Sequence, residues 1–247
     1  MYGERGHNVV SATGVVMNIL QAGISAVERG YVPDLITRFA IRRLCRERLR
    51  DMHGTRAQTV LAAQREFIES MSTAPIAPLP AKANEQHYEL PPEFFAAVLG
   101  PHRKYSCCLW DDSTTTLEAA EEAALQATCD HAELCDGQDI LELGCGWGSL
   151  SLWMASKFPN SRITAVSNSA GQRHLIESVA AERGLKNLQV ITADMNQFYP
   201  AGTGPRRQKF DRVVSVEMFE HMRNYELLLA RIATWLQPAG KLFVHLF

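Results

Sequence analysis

The stretch Ile140-Leu141-Glu142-Leu143-Gly144-Cys145-Gly146-Trp147-Gly148 decides how the rest of the chain reads. An apolar run of strand length, broken by one acid, passes straight into three glycines at alternate positions. Residues 149–158 then read as a helix. Glycine has no Cβ, so a strand-to-helix turn built from it can bend tightly and let a ligand approach the backbone. In an open α/β sheet that turn lies beyond the strand's carboxyl end, where ligands collect. A lone Gly-x-Gly is shared by many nucleotide binders, and a tight turn without a ligand is the other reading. Glu142, inside the strand end, adds an acceptor for ligand hydrogen bonds.

Downstream the pattern repeats. Strands are expected at 163–166, 188–191, 210–216 and 242–246, with helices at 172–184 and 225–236. Gly184 and Pro238-Ala239-Gly240 read as helix stops. Strands alternating with helices of ten or more residues imply parallel crossovers, hence an α/β, doubly wound, Rossmann-like sheet. The chain ends at an apolar strand, and the expectation is that the sheet's C-terminal strands are missing.

Upstream, residues 1–115 read as an N-terminal helical region that caps a substrate pocket, and 116–247 as the Rossmann-like domain. Residues 41–49 set arginines between leucines at helical spacing. This is a solvated face whose arginine stems cover apolar surface, or a membrane-surface helix. Three prolines between Pro75 and Pro80 forbid a helix interior. Pro91-Pro92 starts a short helix, and Thr116 is an N-cap for the next.

The 247 residues are 46% hydrophobic and 21% charged, as in soluble globular chains. A net charge of −2 offers no basic field for nucleic acid. Six cysteines at irregular spacing are not a secreted disulfide framework, so a reducing, cytoplasmic setting is expected. Residues 9–27 are uncharged but interrupted by polar residues and glycines. They suit an amphipathic helix better than a membrane span or a signal peptide.

Ser215-Val216-Glu217-Met218-Phe219-Glu220-His221-Met222 follows the fourth strand. Glu217, Glu220 and His221 stand at relative positions 0, 3 and 4, which share a face if the turn is helical. They are either first-turn charges facing solvent or an acid–base site in which a carboxylate orients the imidazole and raises its proton affinity.

The glycine loop resembles the first motif of class I S-adenosylmethionine-dependent methyltransferases. Most of these end the second strand in an acid, whereas this chain has Val166-Ser167-Asn168-Ser169 with Gln172 a turn later. Those amides resemble the coclaurine N-methyltransferase-like branch, relatives of cyclopropane-fatty-acid synthases. So do the basic stretch 33–50, the 83–91 motif, Lys104-Tyr105-Ser106-Cys107-Cys108 and Glu217-Met218-Phe219-Glu220-His221-Met222.

The resemblance implies S-adenosyl-L-methionine as cofactor, held by Ser106, Gly144, Gly146, Asn168, Gln172, Asp194 and Met195. It implies Glu217, Glu220 and His221 as catalytic residues, and no metal. A set of Glu217, Glu220, His221 and His245 matches no zinc spacing. The expected reaction is methyl transfer to a small acceptor, an amine nitrogen above all, with Glu and His assisting as general base. One alternative is methylene transfer to an unsaturated acyl chain, whose bound bicarbonate would meet Cys107, Glu220 and His245. Another is a truncated isoform that binds the cofactor or a partner without catalysis. Trp110, Phe94, Phe95 and Tyr88 are candidate aromatic walls, equally readable as core. A small molecule is the expected partner, without nucleic acid or stable membrane insertion, and with a homodimer left open.

Overall fold

A computed structural model describes residues 21–53, 57–80, 90–201 and 209–247. Tyr88, the rest of the 83–89 motif and most of the 9–27 stretch lie outside them. The chain divides into two compact units, Met1–Phe67 and Ile68–Phe247. In the first, α1 (Asp34–His53) carries its arginines at i,i+4 spacing to acids, Arg38 to Asp34 and Arg43 to Glu47. Such exposed pairs are screened by solvent and contribute little to stability. Helix α2 (Ala57–Thr73) begins in this unit and ends in the second.

The second unit opens with α3 (Pro92–Val98) and α4 (Leu117–His131). Proline stands at the start of α3, and the Thr116 hydroxyl accepts the Ala119 N–H to cap α4, both as the sequence predicts. There follow β1 (Asp139–Leu143), α5 (Ser149–Lys157), β2 (Arg162–Ser167), α6 (Ala170–Glu182), β3 (Leu188–Thr192) and β4 (Phe210–Val216). A single 3₁₀ turn (Phe219–His221), α7 (Tyr225–Trp235) and β5 (Leu236–His245) complete the described chain. All five strands pair in parallel, in the order β3-β2-β1-β4-β5.

Alternate residues of each strand point to opposite faces, and each face has its own helices. Ile140, Ile163 and Val214 pack under Leu125 of α4 and Leu150 and Met154 of α5, and Ala165 and Val190 under Ile176 of α6. Leu141, Leu143 and Val213 face the other way, against Leu228, Ile232 and Trp235 of α7. Two helix-covered faces make the sheet doubly wound, the expected fold class. Its strand order reverses between β1 and β4, where a crevice opens at the strands' carboxyl ends.

Two local expectations are corrected. Helix α6 starts two residues earlier than the pattern predicts, because the Ser169 hydroxyl caps it by accepting the Gln172 N–H. Pro238-Ala239-Gly240 does not separate α7 from a strand. Strand β5 begins at Leu236 and carries these residues as an irregularity, its register to β4 shifting between Phe210 and Arg212 and Ala239 sitting at φ 69°.

Candidate active site

The site is made by two turns that leave adjacent strands side by side. After β1, the Gly144 and Cys145 N–H groups both donate to the Val166 carbonyl at 2.9 and 3.0 Å, folding the glycine loop against the end of β2. Gly144 has φ 80°, and a Cβ there would fall 2.6 Å from the Met218 side chain. Gly148, at φ 82°, meets Ile176 of α6 in the same way. Gly146 differs. It too has positive φ, but nothing lies within 4 Å of where its Cβ would stand. Its missing side chain leaves open space for a ligand.

After β4, the Ser215 hydroxyl donates to the Leu143 carbonyl at 3.0 Å, tying this strand end to β1. Glu217 then takes φ 52°, a left-handed conformation uncommon for a residue with a long side chain, while its N–H donates to the His245 carbonyl at 2.8 Å. Strain of this kind persists where the surroundings over-determine it. The segment is therefore not a helix turn, and the three groups do not share a helix face. Glu217 sits at the strand end, with Glu220 and His221 on the 3₁₀ turn that follows.

Two cavities meet at these turns. The larger, about 450 Å³, runs from the glycine loop past the ends of β2 and β3 and is bounded by Gly144, Gly146, Asn168, Gln172, Met195, Glu217, Glu220 and His221. The second, about 300 Å³, lies on the other side and is bounded by Lys104, Ser106, Glu142, Gly144, Gly146, Glu217 and His221. Of the ten residues singled out in the sequence, nine line one or both cavities. Asp194 lines neither. It is half-buried, and its carboxylate accepts the Asn196 N–H and side-chain amide at 2.9 and 3.0 Å.

The polar groups in the larger cavity are incompletely satisfied. Gln172, 1% exposed, accepts from the Ser167 hydroxyl through Oε1 at 2.6 Å, while its Nε2 has no partner among the described residues. Glu220 accepts the Phe247 N–H through Oε1 at 2.9 Å, and its buried Oε2 has none. Buried polar atoms are paired in the great majority of cases, so two unpaired ones on one cavity point to a polar ligand.

Several residues went unnoticed in the sequence. The proline-rich segment reads as a break, yet residues 77–80 form a wall of the larger cavity. Ile76 anchors it in the core at 1% exposure, Asn196 bonds Ala77 through both N–H and carbonyl, and the Asn168 amide donates to the Pro80 carbonyl. An isoleucine among prolines was the available signal. Lys104, buried in the second cavity, stands in the 104–108 motif, but nothing in that motif marks it as buried. Glu142, read as an acceptor for ligand, lines the second cavity and accepts the Ser151 hydroxyl of α5 through one oxygen. Complete burial pushes its carboxyl up to about 7, with the Ser151 hydrogen bond pulling partly back.

The aromatic walls are elsewhere. Phe95 packs in the core with its ring 4.5 Å from that of Trp147, while Phe94 and Trp110 are about half exposed, and none of the three lines either cavity. Potential metal-ligating atoms of Cys107, Glu217 and His245 come within 4.8 Å of one another, a different set from the one weighed in the sequence.

Chemically, the arrangement offers an open glycine cradle at one end and two carboxylates with an imidazole facing it. A profile described as mycolic acid cyclopropane synthetase matches residues 79–247. Over 240 residues, 97% of this chain, the sequence is 36% identical to the (S)-coclaurine N-methyltransferase of Thalictrum flavum subsp. glaucum. The chain spans 64% of that relative's length. A crystal structure of coclaurine N-methyltransferase bound to N-methylheliamine and S-adenosylhomocysteine superposes with a TM-score of 0.78, covering 92% of this chain and 64% of that one at 36% identity. The cyclopropane-fatty-acyl-phospholipid synthase of Escherichia coli is 33% identical over 163 residues, 65% of this chain and 39% of that protein.

Proposed function

Because the chain belongs to the mycolic acid cyclopropane synthetase family, we propose that it uses S-adenosyl-L-methionine to methylate the nitrogen of a small amine. The observation that carries this reading is that Glu217, Glu220 and His221 line one cavity with the glycine loop, where Gln172 Nε2 and Glu220 Oε2 have no partner among the described residues.

The cofactor, when bound, supplies a methyl group on a positively charged sulfur. The residues present fit it. Gly146 leaves room at the loop, Gln172 offers a buried amide donor beside Asn168 and Met195, and Ser106 and Gly144 bound the second cavity. Asp194 lines neither cavity and spends one carboxylate oxygen on Asn196, so Gln172 takes the larger share of recognition at this end.

Transfer to nitrogen requires a free lone pair, and an amine near neutral pH carries a proton that blocks it. A base within reach removes that proton and contributes about 10²–10⁴-fold. Glu220, with one oxygen anchored on Phe247 N–H and the other buried without a partner among the described residues, is placed to take it, and His221 bounds both cavities beside it. Glu217, held at the strand end by its strained backbone, presents a carboxylate to a cationic acceptor. The chain's other task is alignment, and holding two reactants in line is worth up to ~7–11 kcal/mol. The 77–80 wall and the glycine loop both bound that space.

Methylene transfer to an unsaturated acyl chain is the second reading, favoured by the likeness to the E. coli synthase. Two carboxylates lining one cavity suit a cationic amine better than an alkene. The test is product analysis with methyl-labelled S-adenosylmethionine. The chain is offered benzylisoquinoline-type amines and, separately, unsaturated phospholipid with and without bicarbonate. Label on nitrogen is expected; label in a cyclopropane ring would replace this reading with the second.

A further inference from the structure

Among the described residues, Lys104 is the one lysine lining either cavity, and it is 7% exposed. Its turn is locked from beneath. Glu121 of α4, fully buried, accepts the Lys104 N–H through Oε1 and the His102 N–H through Oε2, both at 3.0 Å. Gly100 is required there, since a Cβ would fall 2.3 Å from that carboxylate. The ammonium group is thereby aimed inward, where it donates to the Ser106 hydroxyl at 2.5 Å and the Cys107 carbonyl at 2.7 Å.

A lysine ammonium has three N–H donors and no acceptor. Two are used, and the third has no acceptor among the described residues. The bond to Ser106 also fixes the sense of that hydroxyl. Its oxygen accepts from Lys104, so its own proton is left to donate. The corner of the second cavity thus presents a buried cation and a neighbouring O–H donor, a pair that suits a carboxylate. Burial pushes the Lys104 ammonium down from its ordinary value, opposed by the charges of Cys107, Cys108, Glu217 and Glu121. An anionic ligand would further favour the charged form.

We infer that Lys104, with Ser106, is the receptor for the carboxylate at the amino-acid end of the cofactor. This rests on the proposed use of S-adenosylmethionine. The nucleoside end fits the larger cavity at Gln172 and Met195, and the amino-acid end crosses the glycine loop into the second. Lys104 is a binding residue here, set in place by Glu121.

The inference is tested by calorimetry with two ligands that differ at that end. S-adenosylhomocysteine carries the carboxylate; methylthioadenosine lacks the whole aminocarboxyl group. Lys104→Met is expected to weaken S-adenosylhomocysteine about 10- to 100-fold. It should leave methylthioadenosine within about twofold of the unsubstituted chain, because the lost contact lies beyond that ligand's reach. Lys104→Gln, a smaller disturbance to the turn, is read in the same way should the Met variant fail to fold. Equal weakening of both ligands, or undiminished binding of S-adenosylhomocysteine, would overturn the inference. If the unsubstituted chain binds neither ligand, the cofactor reading itself falls.

Discussion

Met218 occupies the space that any side chain at Gly144 would need, its Cβ and Cγ both 2.6 Å from the position of a Cβ. The two residues follow β1 and β4 in turn, so this contact fixes the separation of the strand ends between which the cavities open. The glycine therefore serves packing as well as conformation. Gly144→Ala must both adopt φ 80° and displace Met218, at a combined cost of about 2–4 kcal/mol. Gly146→Ala meets no protein atom and carries only the conformational strain, about 1–2 kcal/mol. Urea denaturation should separate the two, while calorimetry should find S-adenosylhomocysteine binding impaired in Gly146→Ala despite its milder effect on stability. Equal stabilities would remove Met218 from the explanation.

Gln172→Met should cost affinity more than stability. It removes a buried donor that has no partner among the described residues, along with one bond to Ser167. The expected loss is about tenfold in affinity for S-adenosylhomocysteine, with unfolding free energy changed by about 1 kcal/mol or less. A variant that binds as tightly as the parent would show that the unpaired amide is not aimed at this ligand.

Glu220→Gln separates binding from chemistry. The amide still offers Phe247 an acceptor but takes no proton. Transfer to amine should slow by about 10²–10⁴-fold while S-adenosylhomocysteine affinity stays within about twofold. Lost affinity with transfer unimpaired would move Glu220 out of the acid–base role.

Glu142 predicts a pH dependence of stability. Its carboxyl is held near 7 by burial, against 4.5 when exposed. Between those values the folded chain keeps a proton that the unfolded chain has lost, so rising pH favours unfolding over this range and has no further effect above it. The contribution amounts to at most about 3 kcal/mol. Glu142→Gln should abolish that part of the slope, read as the urea midpoint across the same pH range.

Much of this architecture was legible from periodicity. Two-residue alternation and helical spacing located all five strands and the helices between them, because the central strands β1, β2 and β4 bury residues on both faces and the helices between them on one. What escaped is instructive in physical terms. The spacing Glu217-x-x-Glu220-His221 fits a helical turn, but β4 runs on to Val216 and Glu217 bonds to His245 of β5, 28 positions away in the chain. A backbone forced left-handed by a distant strand leaves no local trace. Pro238-Ala239-Gly240 reads as a stop for the same reason, since only the pairing of its flanking residues Leu236 and Lys241 with Phe210 and Arg212 carries it within a strand. Lys104 is hidden because its burial depends on Glu121, which by itself reads as one more acid in an amphipathic helix. The residues around the glycine loop were found through motif resemblance, and the structure brings nine of the ten to a common pair of cavities.

The central claim is that one ligand spans both cavities across the glycine loop. A crystal structure of the chain with S-adenosylhomocysteine tests it most directly. The expected complex has the nucleoside against Gln172 and Met195, the sulfur over Gly144 and Gly146 facing Glu217 and Glu220, and the amino-acid end beside Ser106. A ligand lying wholly within one cavity, or bound away from the carboxyl ends of β1 and β4, would contradict it.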